Sequence, residues 1–435
     1  MARIRVLISG AGIAGNALAF WLVKLGHEVT VVEKFPVLRA TGLQIDLRGH
    51  GIEVLRRMGL EREFRELSAP EQGLQIVDGT GRQRALFPAN KPGDGGIQSF
   101  TSEFEIMRGD LCRLFHDATA DRARCIFGTS IASLQQENMG GGRGGPVDVT
   151  FENGKTERFD LVVGADGMWS HTRRLLFGPD TPETLRPLGG FCIAYFTMPR
   201  AIQEGEGYLA TAYMAPGRRA IMTRRHRPDA MQVYLPCRSD GGRLARTRRG
   251  DVAGEKAAFA ESLAGAGWQA DEIVAAMWDA DDFYCEHLRL VTLPTWARGR
   301  AALVGDAAYC PSANTGMGTT CGVVGAYVLA GEIGRHCGRG EHDDDDNAAG
   351  ADGLEAALAA YERTFRPYVD KVTRGVAEDA SVWNMLPSLA LGVGIMHAVL
   401  GLASYFRLDF FHHVLREKRV QGWDLPDYEE MVGRR

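Results

Sequence analysis

The first 34 residues constrain the fold more than any other part of the sequence. The apolar run RVLISG (5–10) predicts a buried strand. The turn GAGIAG (10–15), an amphipathic helix and a second strand, HEVTVVEK (27–34), follow it. A strand, a glycine-rich turn, a helix and a second strand together form the βαβ unit of a parallel sheet. The chain is therefore predicted to begin with the βαβ unit of an α/β fold.

The glycines of this turn have separate predicted tasks. Gly10 permits the tight turn, Gly12 lets the backbone approach a pyrophosphate, and Gly15 allows close helix–strand packing. The helix N-terminus then faces the phosphates. Glu33 ends the second strand, where its carboxylate can accept hydrogen bonds from ribose hydroxyls. Because the motif lies between a strand and a helix with the acid in place, it predicts dinucleotide binding.

A later apolar strand ends in a carboxylate. In LVVGADGMWSHTRR (161–174), Asp166 and Gly167 follow the apolar run. At the carboxyl edge of a parallel sheet, such a charge lies at the ligand crevice. A helix cap made by Asp166 or Ser170 is the alternative interpretation, and both can hold at once.

A third strand has the same ending. RAALVGDAA (300–308) places Gly305 and Asp306 after an apolar run, and the glycine-rich loop GMGTT (316–320) precedes a helix. Asp306 could accept a hydrogen bond from a polyol hydroxyl. The amides of the loop could stabilise a flavin ring that carries negative charge. One such motif means little, but three in this order are specific together.

The composition excludes several classes of protein. The formal charge is -5, from 50 Lys and Arg against 55 Asp and Glu, which gives no electrostatic basis for nucleic-acid binding. The eight cysteines include no CxxC pair, so we expect reduced, mostly buried thiols and neither a disulfide framework nor a zinc site. The N-terminus lacks the features of a signal peptide, and a cytoplasmic location is expected.

Taken together, these motifs resemble those of the class A flavoprotein aromatic monooxygenases, the family with the p-hydroxybenzoate hydroxylase fold. The three motifs match that family in order and spacing over about residues 3–375. Residues 39–60 and the loop GDAAYCPSANTGMGTT (305–320) are similar, more closely, to the tetracycline-inactivating monooxygenases and their relatives in microbial secondary metabolism.

The resemblance implies cofactor roles for individual residues. Arg39 matches a position assigned to NADPH contact, Asp46 would lie near the flavin, and Arg108 would lie near the FAD phosphates or ribityl chain, which Asp306 would bind. The implied cofactor-binding residues are Gly10, Gly12, Ala14, Gly15, Glu33, Lys34, Arg39, Asp46, Arg48, Arg108, Asp166, Gly167, Gly305, Asp306, Pro311, Gly316, Gly318 and Thr319. No catalytic residue and no metal ligand is assigned.

The resemblance also implies an α/β architecture with a divided cofactor domain. A Rossmann-type FAD-binding domain would occupy 1–184, with a β-rich insertion near 70–105, and resume at 291–375. An antiparallel-sheet substrate domain would span 185–290, and a C-terminal helical region 376–435.

The implied activity is that of an FAD-dependent monooxygenase. It would use NADPH or NADH and O2 to hydroxylate a small aromatic or polyketide-like molecule through a flavin C4a-hydroperoxide, in secondary metabolism or antibiotic modification. Epoxidation or Baeyer–Villiger oxidation of an alkaloid, terpenoid or polyketide is the first alternative, and a flavin oxidase without oxygen transfer is the second. A monomer or a homodimer is expected.

The chain departs from many relatives at a few positions. Tyr309 stands where many have histidine, Thr319 and Thr320 where many have asparagine, and Gly325-Ala326 replaces a common Asp-Ala pair. These departures separate the chain from the better-known hydroxylases.

The β-rich segment holds candidates for the substrate pocket. Tyr213, Met222, Arg224 and His226 could line it, although sheet core or exposed sheet face is the favoured interpretation for each alone. The pocket itself should be mostly apolar with a few placed polar groups.

The segment MLPSLALGVGIMHAVLGLASYF (385–406) is apolar and nearly long enough to span a bilayer. Its proline, histidine and glycines favour a buried helix packed between domains. Closure of the substrate cavity and contact with a membrane are the alternatives, and membrane contact is the less favoured one.

Overall fold

The computed structural model describes most of the chain. The described residues are 3–39, 42–89, 103–136, 145–178, 184–238, 242–337, 346–376, 386–406, 420 and 422–432. The strands are β1 Arg5–Ser9, β2 Glu28–Glu33, β3 Gln44–Asp46, β4 Gly73–Val77, β5 Gln83–Pro88, β6 Glu105–Met107, β7 Arg124–Phe127, β8 Ile131–Gln136, β9 Val147–Phe151, β10 Thr156–Phe159, β11 Leu161–Gly164, β12 Leu185–Pro199, β13 Leu209–Ala215, β14 Arg219–Arg227, β15 Ala230–Arg238, β16 Tyr284–Val291, β17 Ala297–Arg298 and β18 Ala301–Leu303. The α-helices are α1 Ile13–Lys24, α2 His50–Met58, α3 Glu61–Glu66, α4 Arg108–Asp117, α5 His171–Phe177, α6 Arg243–Arg246, α7 Val252–Leu263, α8 Ala270–Asp279, α9 Asp306–Tyr309, α10 Gly318–Cys337, α11 Asp346–Thr373, α12 Ala390–Tyr405 and α13 Glu429–Val432.

A six-stranded sheet forms the cofactor side of the molecule. Its strand order is β17-β18-β11-β1-β2-β7, and every pair except β17–β18 is parallel. Strands β1, β11 and β18 are apolar and almost wholly buried because helices cover both faces of a parallel sheet. This is the predicted βαβ arrangement, with β1 between β2 and β11.

A seven-stranded sheet forms the other side. Its order is β16-β12-β15-β14-β13-β4-β5, and only the pairing of β13 with β4 is parallel. The predicted antiparallel sheet is therefore present, and β4 and β5, from the segment near 70–105, belong to it. One face packs on α7 and α8 through an apolar cluster that includes Phe196, Val233 and Phe259. The other face is covered by the 390–405 helix at its β4–β5 edge, and near β15 its Gln232 side chain bonds with Gln44 of β3.

Two small sheets complete the described strands. β8, β9 and β10 form an antiparallel meander, and β3 pairs with β6 in a two-stranded sheet. The predicted α/β class is confirmed. The domain boundaries remain predictions.

Helix α12 corrects the prediction of a buried helix at 385–406. It packs on the edge of the seven-stranded sheet through Leu400 and Ala403, which contact Leu74 and Phe87. Its opposite side is exposed, with Leu391 at 74%. A uniformly apolar run gives no periodicity from which the covered side could be identified. Among the described residues, no helix has both the length and the apolarity that a bilayer crossing requires.

Candidate active site

The three strand-end motifs converge at one edge of the six-stranded sheet. In the sheet register, Ser9 of β1 pairs with Gly164 of β11, and Gly164 pairs with Leu303 of β18. Because these strands are parallel, the segments that follow them leave the same edge. An added Cβ at Gly10 would lie 2.6 Å from the Ala165 oxygen, and one at Gly305 would lie 2.8 Å from the Ala14 Cβ. The motifs are therefore packed against one another, as the sequence predicted. We call residues 10–15, 165–167 and 305–306 the cofactor loops.

Two of the three glycines in the first loop are required by the protein's own packing, and the third is not. Gly10 has φ 112°, and an added Cβ at Gly15 would overlap the Gly10 carbonyl, so the protein itself demands both glycines. Gly12 has an ordinary extended backbone, and a Cβ there would meet no protein atom within 4 Å. No side chain caps the N-terminus of α1. Open space in front of uncapped helix amides fits the pyrophosphate of a dinucleotide.

Glu33 is held beside this loop. Its carboxylate accepts hydrogen bonds from the Ala11 amide at 3.0 Å and the Phe35 amide at 3.1 Å. Each oxygen accepts one of these bonds and has a second lone pair for a ribose hydroxyl. The position fits the predicted role, which remains a prediction.

Asp166 acts as a helix cap in the structure. Its carboxylate accepts from the Thr172 amide and the Thr172 hydroxyl, both at 2.9 Å, and from the Ser170 hydroxyl. The Ser170 hydroxyl in turn accepts from the Arg173 amide at 2.9 Å and caps α5. The alternative interpretation of this motif is therefore present, and it fixes Gly167 at the crevice edge. A cofactor role for Asp166 and Gly167 remains a prediction.

Asp306 begins α9 at the same edge. Burial raises the pKa of its carboxyl, against the opposing effects of a Cys310 hydrogen bond and the Arg108 charge. Arg108 begins α4 directly after β6, and its side chain packs against Gly42. The structure thus brings together two predicted residues from distant parts of the chain, and a third group, Glu286, shares their electrostatic environment.

Asp46 and Arg48 form an ion pair beside the N-terminus of α10. The Arg48 amide donates to the Thr320 hydroxyl at 3.0 Å, and the Arg48 side chain passes the Gly316 loop. Thr320, at the position where many relatives have asparagine, therefore joins the 39–60 segment to this loop.

The remaining residues that were predicted to bind the cofactor lie before or at the start of α10, or on the exposed surface after β2. Lys34 and Arg39 are exposed, and both side chains lie over the Phe35 ring. Pro311 is buried, and Gly318 and Thr319 are half-buried at the start of α10. The NADPH contact that the resemblance implies for Arg39 remains a prediction.

A row of tyrosines lies on the face of the seven-stranded sheet that is opposite to α7 and α8. Tyr284 pairs in register with Tyr195, and Tyr195 pairs with Tyr234. The Tyr195 and Tyr234 rings meet edge to face at 5.4 Å. Burial raises the pKa of Tyr234 to about 12, so this phenol stays a neutral donor at physiological pH, and its hydroxyl donates to the Gln232 side-chain oxygen at 3.1 Å. We call Tyr284, Tyr195 and Tyr234 the tyrosine row.

Contacts on both sides of this row join the sheet to the cofactor side. On one side, the Gln44 amide donates to the Gln232 side-chain oxygen at 3.0 Å, and the Gln232 amide group donates to the Gly42 carbonyl at 3.1 Å. On the other side, Glu286 lies in the electrostatic environment of Asp306 and Arg108. Through Gln232, the sheet face that carries the row is therefore joined to residues 42–44.

The residues predicted to line the substrate pocket do not all lie on one face of the seven-stranded sheet. Met222 pairs with Tyr234 and Arg224 pairs with Gln232, so both lie on the face of the tyrosine row. An irregularity in the pairing between Arg224 and Arg227 interrupts the alternation around His226. Arg224 is buried in an ion pair with Glu71 and Glu105. Tyr213 lies on the opposite face, where its hydroxyl donates to the Ala266 carbonyl at 2.5 Å. For Tyr213 the favoured sheet-core interpretation holds.

Glu286 is a candidate that sequence reasoning missed. Burial, followed by the Asp306 charge, raises the pKa of its carboxyl to about 7. The sequence signal that could have identified it is an acid inside the apolar strand YCEHLRLV. Strand alternation places Glu286 on the same face as Leu288 and Leu290 and on the opposite face to Cys285.

Tyr309 and Gly325, two of the departures described above, fit together sterically. The Tyr309 hydroxyl lies 2.9 Å from the Tyr361 hydroxyl, and the Tyr309 ring packs against Trp296 and Phe365. An added Cβ at Gly325 would overlap the Tyr309 hydroxyl. The tyrosine thus occupies the space that a side chain at position 325 would need.

Gly325→Ala should therefore destabilise the protein. Overpacking of this kind costs about 1–3 kcal/mol. Adding Tyr309→Phe, which removes the overlapping hydroxyl, should recover part of the loss in a double-mutant cycle measured by urea denaturation. Gly334→Ala on the same helix is the control, because its Cβ would meet two Leu25 methyl groups, the nearer at 3.0 Å, and the Glu430 Cβ at an ordinary contact distance of 3.6 Å. Equal losses at both positions would contradict the explanation.

Comparison with known proteins agrees with this geometry. Residues 3–345 match the family model described as FAD binding domain. The FAD-dependent monooxygenase asL4 of Sarocladium schorii is 45% identical, over 99% of this chain and all of its own. The flavin-dependent monooxygenase eupH of Phoma sp is 37% identical, over 98% of each chain.

A solved structure supports the same assignment. The crystal structure of the tetracycline destructase Tet(55) matches with a TM-score of 0.76 and 28% identity, over 98% of this chain and 99% of that one. The matches extend from the cofactor loops through the seven-stranded sheet to the C-terminal helices. With its three cofactor loops at one sheet edge, the chain belongs to the FAD-binding family of class A flavin monooxygenases and is an FAD-dependent monooxygenase.

Proposed function

We propose that the enzyme uses NAD(P)H and O2 to hydroxylate a small aromatic or polyketide-like molecule that lies on the tyrosine row. The observation that carries this proposal is the row itself, flanked by Gln232 and by Glu286, whose carboxyl lies in the electrostatic environment of Asp306 and Arg108. Aromatic rings offer stacking surface to a planar substrate, and a few polar groups fix its orientation. The neighbour Tet(55), named a tetracycline destructase, supports a substrate of this general kind.

FAD, when bound, would accept a hydride from NAD(P)H and supply the activated oxygen for transfer. The protein's residues would do the rest. Gly12 and the N-terminus of α1 would hold the pyrophosphate, Glu33 the ribose, and Asp306 with Arg108 the ribityl region. Ile193 and Pro236, next to the tyrosine row on the same face, would exclude water from the reacting atoms.

The test is oxygen incorporation by the FAD-loaded enzyme. NADPH oxidation and O2 uptake would be followed with a panel of phenols and polycyclic ketones, and products would be analysed by mass spectrometry under 18O2. We expect substrate-stimulated uptake and one labelled oxygen per product. Release of all consumed oxygen as H2O2 with every compound would instead indicate an oxidase. Product connectivity separates hydroxylation from epoxidation and ring insertion.

Glu286 should give this reaction a pH dependence. Because burial raises the pKa of its carboxyl to about 7, the carboxyl keeps its proton below pH 7 and can donate a hydrogen bond to substrate. Above pH 7 that donor is lost, and kcat/KM should fall by about tenfold, the effect of one hydrogen bond of about 1.4 kcal/mol. Glu286→Gln keeps a neutral donor at every pH and should flatten this part of the profile.

The exposed Glu272 on α8 provides the matched control. Glu272→Gln should keep the native pH profile. If Glu286→Gln also kept the decline above pH 7, another group would be responsible for it.

A further inference from the structure

Three side chains that commonly bind metals meet on the face of the seven-stranded sheet that is turned away from the tyrosine row. Cys192 lies on β12 and pairs in register with His287 of β16, and Cys285 is two residues from His287. One ligand atom from each of the three lies within 4.8 Å of the others, and the Cys192 Sγ is 3.1 Å from the His287 Nδ1. The cluster is separate from the site described above, because Cys285 points to the opposite face from Glu286.

A buried carboxylate lies behind the imidazole. Glu255 of α7 is 3% exposed, and its Oε1 lies 3.7 Å from the His287 Nε2. That nitrogen has no hydrogen-bond partner among the residues that the structure describes. In metal sites, a ligating histidine almost always donates its second ring N–H to a carboxylate, a carbonyl or a water.

We propose that Cys192, Cys285 and His287 form a zinc site, with Glu255 orienting the imidazole of His287. Two sulfurs and one imidazole nitrogen suit Zn²⁺ and not Mg²⁺ or Ca²⁺, which take oxygen ligands. Tetrahedral Zn²⁺ with bonds of about 2.0–2.3 Å places its ligand atoms about 3.5–3.8 Å apart, so the present arrangement needs only small adjustments. A water would fill the fourth position, since the His287 side chain is 20% exposed.

The charges also balance. Two thiolates neutralise one Zn²⁺, and the Glu255 carboxylate, which already accepts from the Gly250 amide at 3.2 Å, gains a second hydrogen bond. The ion would connect β12, β16 and α7 at the back of the sheet that carries the tyrosine row.

The experiment measures zinc binding by the FAD-loaded, full-length protein. After treatment with EDTA, the protein is titrated with Zn²⁺ in competition with a chromogenic chelator, and bound metal is counted by mass spectrometry. We expect one Zn²⁺ per chain. Cys285→Ala and His287→Gln should abolish this stoichiometric binding. Glu255→Gln should weaken it by about 10–100-fold, as expected for a group that orients a ligand.

Cys125→Ala is the matched control, because Cys125 is a half-buried thiol on the distant strand β7. It should bind zinc like the native protein. Binding by the native protein that survives in Cys285→Ala would overturn the proposal, and so would the absence of stoichiometric binding. A Cys192–Cys285 disulfide in the native protein would also overturn it.

A second measurement needs no variant and therefore does not depend on their folding. Zn²⁺ should protect Cys192 and Cys285 of the native protein from alkylation by iodoacetamide, as located by peptide mass spectrometry. Equal labelling with and without Zn²⁺ would contradict the site.

Discussion

Arg224→Ala is expected to lower the free energy of unfolding by about 3–5 kcal/mol, the usual cost of removing one partner from a buried ion pair. The Arg224 guanidinium donates to both Glu71 oxygens, at 2.6 and 2.7 Å, and also contacts Glu105. The Glu71 and Glu105 side chains are 1% and 2% exposed. Without the guanidinium, two carboxylates remain buried, and they share the Gln44 side-chain amide as a donor.

The free energy of unfolding that is lost in Arg224→Ala should become larger as pH rises. Burial raises the pKa of Glu105 from 4.5 to about 7, although the Arg224 charge opposes this rise. The folded chain therefore holds a proton that the unfolded chain releases, and the free energy of unfolding falls as pH rises from about 4.5 to about 7. Removing Arg224 raises the pKa of Glu105 further and extends this fall above pH 7. Urea denaturation at pH 6 and pH 8 should show the larger loss at pH 8.

Arg227→Ala is the control on the same strand, because Arg227 pairs with Asp229 while 55% exposed. Exposed pairs contribute about 0–1 kcal/mol. Neutralising both acids, in Arg224→Met with Glu71→Gln and Glu105→Gln, should recover much of the stability. A loss in Arg224→Ala no larger than in Arg227→Ala would contradict the assigned role.

The cofactor side of the molecule was predictable because its signals are local. Each cofactor loop directly follows its own strand in the sequence, and parallel strands end at one edge of the sheet. The order of the motifs therefore placed Gly12, Asp166 and Asp306 at a common crevice before any register was known. The double use of Asp166 as a cap was also visible, since Ser170 follows it at cap spacing.

The substrate side was not predictable because its features depend on how distant segments of the chain pair with one another. The tyrosine row needs three strands aligned to the residue, and a register shift of one residue would turn each side chain to the other face. Arg224 meets Glu71 and Glu105 from segments more than 100 residues away. Cys192, Cys285 and His287 escaped the search for zinc motifs because their spacing is set by strand pairing, not by a CxxC turn.

The departures from the relatives show the same limit. Tyr309 and Gly325 each look like an isolated change in the sequence, and only the overlap of the tyrosine hydroxyl with a Cβ at 325 joins them. Helix α12 is a further case, because its apolar composition predicts a helix and says nothing about which side is covered.

Gly12→Val should remove FAD from the enzyme while leaving the fold intact. The valine side chain would enter the open space in front of the α1 amides, where no protein atom lies within 4 Å of an added Cβ. The protein therefore accommodates it, and the pyrophosphate would not. Since each 1.4 kcal/mol changes affinity tenfold and overpacking costs about 1–3 kcal/mol or more at a close backbone approach, we expect FAD affinity to fall about 100-fold.

Gly242→Val provides an unusually close control. Gly242 is the N-cap of α6, its backbone angles of φ -81° and ψ -173° match the -79° and -173° of Gly12, and a Cβ there also meets nothing within 4 Å. It should retain native flavin absorbance and FAD affinity, measured by flavin fluorescence quenching. Both variants should match the native apoprotein in thermal stability without FAD. If Gly12→Val bound FAD as tightly as Gly242→Val, the pyrophosphate could not lie against this turn, and the cofactor position inferred from the three loops would be wrong.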